Sequence, residues 1–378
     1  MGRSDTMNRL ALATVWVLVG GQASRAAERP GVVDAAPAEG RCVEHNGKFL
    51  VGYQATIPGT DVTFWMEPVA GGRVELPVPE GAAPTVVELA PYWIARTEVT
   101  WAEYRQYMNL CDVFERFNDA GVRPVTEANE ADAVTAPSKL YDPGFTFDSG
   151  EAPDLPAVSM TQYAAKQYTK WLSLLTGDFY RLPSEAEWVH ACRAGRDAVA
   201  ATDETAWHEG NSDRAAHPVA SKEPNPWGLY DTLGNASEWV LDSHDAEPLE
   251  DPDGPLGEPP VRWPTKLFPR VLKGGSAYLP IDKATCTARR ASDDDLWRDY
   301  DPNVPKSPWW FAYDDAQDVG FRIVRPYAAP PAERKSKYWE ADVRRVQQVA
   351  DFRIDEEGRG ERGLVDPALP AAIERHAR

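Results

Sequence analysis

Arg270-Val-Leu-Lys-Gly-Gly-Ser-Ala-Tyr-Leu-Pro-Ile-Asp-Lys-Ala-Thr-Cys-Thr-Ala-Arg-Arg290 is the stretch whose reading decides the fold. A short extended segment runs into Gly274-Gly275-Ser276, and its only cysteine, Cys286, comes well after that turn. Three other stretches belong with it. They are Tyr180-Arg-Leu-Pro-Ser-Glu-Ala-Glu-Trp188, Asn225-Pro-Trp-Gly-Leu-Tyr-Asp-Thr-Leu-Gly-Asn-Ala-Ser-Glu-Trp239 and Gly320-Phe-Arg-Ile-Val-Arg-Pro326. Each joins glycine or proline punctuation to buried-type aromatic residues, the mark of tight turns packed on a core.

The rest of the chain bounds what these stretches can do. The 378 residues are 43% hydrophobic, enough to bury a large core. The net charge of −19 argues against nucleic acid, which needs a basic footprint, and against an anionic membrane surface. Such acidity favours solubility. Residues 1–26 read as a signal peptide: Arg9, the apolar run Leu10–Gly20, then small residues at Ser24-Arg-Ala26. That run is too short to span a bilayer, so a secreted or periplasmic protein is expected. Export permits disulfides among Cys42, Cys111, Cys192 and Cys286, which allow three pairings. Structural bridges or small buried residues are expected, since the spacing fits no zinc site.

Residues 27–52 are rich in Ala, Pro and Gly and are expected to be loosely ordered. A domain is expected over 53–326, followed at 327–378 by a linker and helical tail. Strands are expected within Tyr53–Leu76, turning at Ile57-Pro-Gly-Thr60, and over Val86–Val99. Three helix starts carry hydroxyl caps: Thr100 with Glu103, Ser159 with Gln162, and Ser184 with Glu187. Gly177 stops the second, and Arg193 with Gly195 closes the third. Asp197–Arg325 shows little periodicity. Short strands are expected there at Arg270–Lys273, Ala284–Arg289 and Gly320–Val324. An amphipathic helix is expected over 338–354, and a last short one over 367–376.

Residues suited to chemistry are sparse. No Gly-x-Ser-x-Gly elbow occurs. His208 and His217 flank a Gly/Asn/Asp loop and read as solvent-exposed. The acidic runs at 250–254 and 293–295 read as solvated loops. Trp297, Tyr300, Trp309 and Trp310 form an aromatic, acidic stretch. It suits either recognition of a peptide or carbohydrate, or stapling of a long loop onto the core.

Together the four stretches resemble the formylglycine-generating enzyme, or sulfatase-modifying-factor, family over Ile57–Pro326. The resemblance implies an α+β fold, irregular and loop-rich, related to the C-type-lectin-like architecture. It implies copper(I) held by two cysteine thiolates just after the Gly-Gly-Ser, in a cleft lined by Ser276. Those positions hold Leu279 and Ala284, so copper is not expected; soft copper(I) needs soft sulfur. Relatives that form sulfur–carbon bonds use a His-x-x-x-His-x-Glu motif, which this sequence lacks. The resemblance also implies a calcium bound by the Asp231 and Glu238 side chains and the Gly234 and Ala236 carbonyls. A helical turn capped by Asn235 and closed by Glu238 is the other reading of that segment. The implied protein is an exported, atypical or catalytically inactive member. It would bind a peptide, protein or glycan in the family cleft, with a sulfatase as a possible partner. The alternative is an oxidoreductase of the family acting through an unrecognised site.

Overall fold

The computed structural model describes residues 29–76, 85–122, 140, 143–197, 199–245, 249, 258–292, 309–310 and 316–356. Strands and helices mix throughout, giving the α+β fold expected. Strands β1 (Val32–Val33), β2 (Cys42–His45) and β3 (Lys48–Val51) form a small antiparallel sheet. β4 (Tyr53–Thr56), β5 (Thr63–Val69) and β8 (Tyr92–Ala95) join β13 (Val324–Pro326) in the order β13-β8-β5-β4. β6 (Gly72–Leu76) and β7 (Thr85–Leu89) make a separate ribbon. The fourth sheet, ordered β11-β10-β9-β12, combines β9 (Ser237–Ser243), β10 (Arg270–Lys273), β11 (Arg290–Ala291) and β12 (Val319–Gly320). Its β9–β12 pair is parallel.

Helices α1 (Trp101–Met108), α2 (Leu110–Asp119), α3 (Pro143–Thr146), α4 (Gln162–Thr176) and α5 (Glu185–Arg193) precede β9. The boxes at Thr100/Glu103 and Ser184/Glu187 form as read: each hydroxyl accepts from the third helical amide, and each glutamate accepts from the cap amide. α4 starts differently. Ser159 has φ 69°, outside helical space, and Thr161 is the cap, accepting from Ala164 N. Gly177 ends α4 in left-handed geometry, as its lack of a Cβ permits.

Two apolar clusters hold these layers. One packs Trp101, Tyr104, Tyr168, Trp239 and Phe321 between α1, α4 and the β9 sheet. The other packs Val74, Val87, Trp188, Val189 and Val271 around α5.

Residues 29–52 are not loose. β2 and β3 close over Asn46-Gly47, both at positive φ, the two-residue turn that matches strand twist. The expected strand at Ala284–Arg289 is replaced by a 3-10 turn at Ile281–Lys283 and the short β11. β9 was not anticipated. All seven of its residues are buried, so it carries no alternation to read.

The described part of the tail, to residue 356, docks on the domain. The single expected helix is two, α6 (Ala332–Trp339) and α7 (Arg344–Asp355), split at 340–343. The 367–376 helix lies outside the described residues. Trp339 is buried, donates its indole N–H to Tyr180 O (2.9 Å) and packs on Phe179. Past it, Asp342 takes both arms of Arg270 at 2.7 Å. Burial alone would raise the Asp342 carboxyl; Arg270 and then Lys166 overcome this and hold it well below the usual carboxylate range.

Two outcomes are expected. Trp339→Ala costs about 3–5 kcal/mol by urea unfolding, as for a buried tryptophan; a loss under about 1 kcal/mol would show the tail is dispensable. Burial pushes Glu103 from an ordinary 4.5 up to about 7, against the opposing Thr100 hydrogen bonds. Its contribution is thus present below its unfolded pKa and lost as pH rises through about 7. Glu103→Gln keeps the box and removes the titration. From about pH 5 to 8 the wild-type melting temperature should fall relative to the variant; parallel curves would refute the shift.

Candidate functional site

Strand β10 delivers the chain into Gly274-Gly275-Ser276. Gly275 has φ +76°, and a Cβ there would sit 2.9 Å from Ala284 Cα, so the turn and the 281–284 segment touch backbone to backbone. Ser276 is fully buried, and its hydroxyl donates to the Asp318 carboxylate. Arg290 balances that carboxylate at 2.7 Å and reaches Ser237 Oγ at 3.2 Å. Ser237 in turn donates to Gly275 O (3.1 Å). Ser276, Asp318, Arg290 and Ser237 thus tie the turn to the β9 sheet.

Beyond the turn, Tyr278 and Leu279 are half-buried and Ile281 is exposed. Ser149 Oγ donates to Gln317 O (3.1 Å) and accepts from Tyr278 Oη at 2.7 Å. Burial raises the Tyr278 phenol above its ordinary value, against the lowering Ser149 hydrogen bond. Arg214, paired with Glu209 at 2.6 Å, lies 5.8 Å from the Tyr278 ring. Leu279 O accepts from Glu209 N (2.9 Å). The result is a mixed apolar and polar face around Tyr278 and Leu279.

No sulfur faces it. Leu279 and Ala284 are aliphatic, and Ala284 is 1% exposed. Cys286 is disulfide-bonded to Cys192 of α5, and both are buried. The residues present therefore do not fit a copper(I) centre, which needs two thiolates.

The calcium expectation meets a different obstacle. Gly234 has φ +80°, and a Cβ there would lie 2.0 Å from Trp207 O, so only glycine closes this turn. Asn235 is also left-handed (φ 57°), and Glu238 lies in β9, which removes the capped helical turn as an alternative. The Glu238 carboxylate is already taken. Arg322 Nε and Nη2 donate to its two oxygens at 2.6 Å each, and Trp188 Nε1 adds a third donor at 2.7 Å. Asp231 Oδ2 accepts from Ala220 N (2.7 Å). A third carboxylate, Glu98, takes Asn235 Nδ2 and Ala236 N at 2.8 Å each and so pins the turn. Burial and then the neighbouring Asp231 and Glu238 push Glu98 well above the usual carboxylate range. Among the described residues no three His, Cys, Asp or Glu side chains converge to hold a metal ion. As arranged, Asp231, Gly234, Ala236 and Glu238 do not fit a calcium site, because Arg322 supplies the cation Glu238 faces.

Of the four aromatic residues read as binding anchors, Trp297 and Tyr300 lie outside the described residues. Trp309 and Trp310 are 0% and 3% exposed and pack on Tyr163 and Tyr104. They are core residues, so stapling is the role the structure gives them. His208 is also buried: its Nε2 pairs with Asp203 Oδ1 at 2.8 Å, and its Nδ1 accepts from Gly210 N. His217 is half-buried, stacked on Trp207 at 3.6 Å. Sequence reasoning missed Glu98 and Arg322. A lone arginine inside the apolar Gly320–Val324 run was the available signal for Arg322.

The sulfatase-modifying factor enzyme 1-like domain family matches residues 46–327. A Chlamydia pneumoniae protein named serine/threonine-protein kinase pkn1 is 33% identical over 236 residues, 60% of this chain. The chain spans about a third (33%) of that relative's length. The formylglycine-generating enzyme of Bos taurus is 27% identical over 292 residues, covering 65% of this chain and 68% of that one. Among solved structures, Treponema denticola variable protein 1 aligns with a TM-score of 0.49 at 21% identity, over 73% of this chain and 99% of that one.

Arg322→Met leaves Glu238 buried without its counter-charge and should cost about 3–5 kcal/mol by chemical denaturation. In wild type, adding calcium or a chelator should leave the melting temperature unchanged. A rise of several degrees with calcium would show that a metal site forms here.

Proposed function

Because the chain belongs to the sulfatase-modifying factor enzyme 1-like domain family, we propose that it is an exported, atypical member without thiol–copper oxidation. In this reading it recognises a peptide, protein or glycan on the face around Tyr278 and Leu279. One observation carries it. Leu279 and Ala284 follow the Gly-Gly-Ser turn, and Cys286 is sealed to Cys192, so none of these three positions offers a soft metal a thiolate.

The exposed chemistry supports recognition. A phenol, an aliphatic side chain and the Arg214–Glu209 pair give apolar area with charged groups at its edge, the mixture that protein interfaces use. The disulfide supports export to a secreted or periplasmic location, since such bonds persist in oxidising compartments. A second reading, oxidation through a site of other chemistry with a sulfatase as partner, is favoured by the formylglycine-generating enzymes among the relatives. The chlamydial relative's kinase name belongs to a protein of which the match covers 33%, and that activity is not assigned to this chain.

Purified protein incubated with copper(I), oxygen and a Cys-x-Pro-x-Arg peptide should bind no stoichiometric copper and form no formylglycine by mass spectrometry. Turnover with one copper per chain would overturn the reading. For peptides selected on the wild type from a display library, Tyr278→Ala should weaken binding about tenfold; unchanged affinity would move recognition elsewhere.

A further inference from the structure

A cavity of about 510 Å³ lies between the 33–41 segment and the β3–β5 region, and Arg41, Gly52, Glu67 and Arg96 are among its walls. Its volume falls within the ~300–1,000 Å³ typical of small-molecule sites. The 33–41 segment precedes the family match at residue 46, so this cavity is built partly from sequence outside the shared domain.

The wall chemistry is specific. Glu67 Oε1 takes Arg96 Nε at 2.7 Å and Arg96 Nη2 at 2.5 Å. Its other oxygen, Oε2, would be 2.9 Å from a Cβ at Gly52, so glycine leaves the space before that oxygen open. Among the described residues neither Glu67 Oε2 nor Arg96 Nη1 has a hydrogen-bond partner. Arg41 spends Nη1 on Pro68 O and stacks on Trp227 at 4.6 Å, leaving Nε and Nη2 as donors. Burial lowers the Arg41 pKa, against the raising field of Glu67. Trp65 holds the Arg96 guanidinium 4.3 Å from its ring. The arginines are thus oriented before any ligand arrives.

We propose that this cavity binds a neutral saccharide of about disaccharide size, with a vicinal diol bridging Glu67 Oε2 and the free arms of Arg96 and Arg41. The charges on the walls cancel, Arg41 and Arg96 against Glu39 and Glu67, so nothing draws an ion in. A hydroxyl pair donates to the carboxylate and accepts from the guanidinium without burying further charge. A zwitterion making the same contacts must strip water from two more charges. Val33, Pro37 and Val51 supply apolar wall for the C–H face of a sugar ring.

The test is calorimetry and saturation-transfer NMR on the full chain, using N-acetylglucosamine, galactose, lactose and cellobiose, with dipeptides as the competing class. At least one disaccharide should bind. Glu67→Gln should weaken it about tenfold, and Gly52→Ala, which sets a methyl against Oε2, should abolish it. Val33→Trp fills the mouth at a residue 37% exposed, so it keeps the test open should either buried substitution fail to fold. Phe352→Ala, at an exposed side chain outside both surfaces, should leave saccharide binding unchanged. Absence of saccharide binding at millimolar concentration, dipeptide binding sensitive to the same variants, or saccharide binding that survives the folded cavity variants would each overturn the proposal.

Discussion

One buried guanidinium organises the centre of this molecule. Arg322 pairs with both oxygens of Glu238 on β9, and it also donates to Ala95 O at the end of β8 and to Tyr230 O ahead of the Gly234 turn. Its side chain is 1% exposed and that of Glu238 0%. Such a pair need not add net stability, because both charges have left water. What it imposes is geometry: any arrangement that separates the partners strands a charge in the core. β8, β9 and the turn between Tyr230 and Ala236 are thereby fixed relative to one another.

The rest of the site inherits that frame. β9 pairs with β10, and β10 runs directly into the Gly274-Gly275-Ser276 turn. The turn holds Ala284 against Gly275 and carries Cys286 to Cys192 on α5. The positions after the turn that the resemblance assigns to thiolates, Leu279 and Ala284, are aliphatic. The same frame sets the Glu238 oxygens against Arg322 and Trp188.

Features written in local sequence were the legible ones. The boxes at Thr100 and Ser184 need only residues three apart and form as read. At Ser159 the same pattern misled: its φ of 69° takes it out of capping geometry, and Thr161 lies where a hydroxyl can meet Ala164 N. β9 left no trace, because a strand buried on both faces loses its period of two. Asn46-Gly47 was a readable hairpin signal, hidden by the Ala/Pro/Gly composition around it. Pairings across long stretches, such as Glu98 with Asn235, Asp342 with Arg270 or Cys192 with Cys286, depend on topology and cannot be assigned from spacing. Trp309 and Trp310 show the same limit, since composition allowed an exposed or a buried role and packing chose the buried one.

The case against thiol–copper oxidation turns on the state of Cys286. Peptide mapping by mass spectrometry under non-reducing conditions addresses it most directly. The account requires a cross-linked peptide joining Cys192 to Cys286 in the protein as isolated, released on reduction. Recovery of both residues as reduced thiols would place free sulfur close to the Gly-Gly-Ser turn and contradict it.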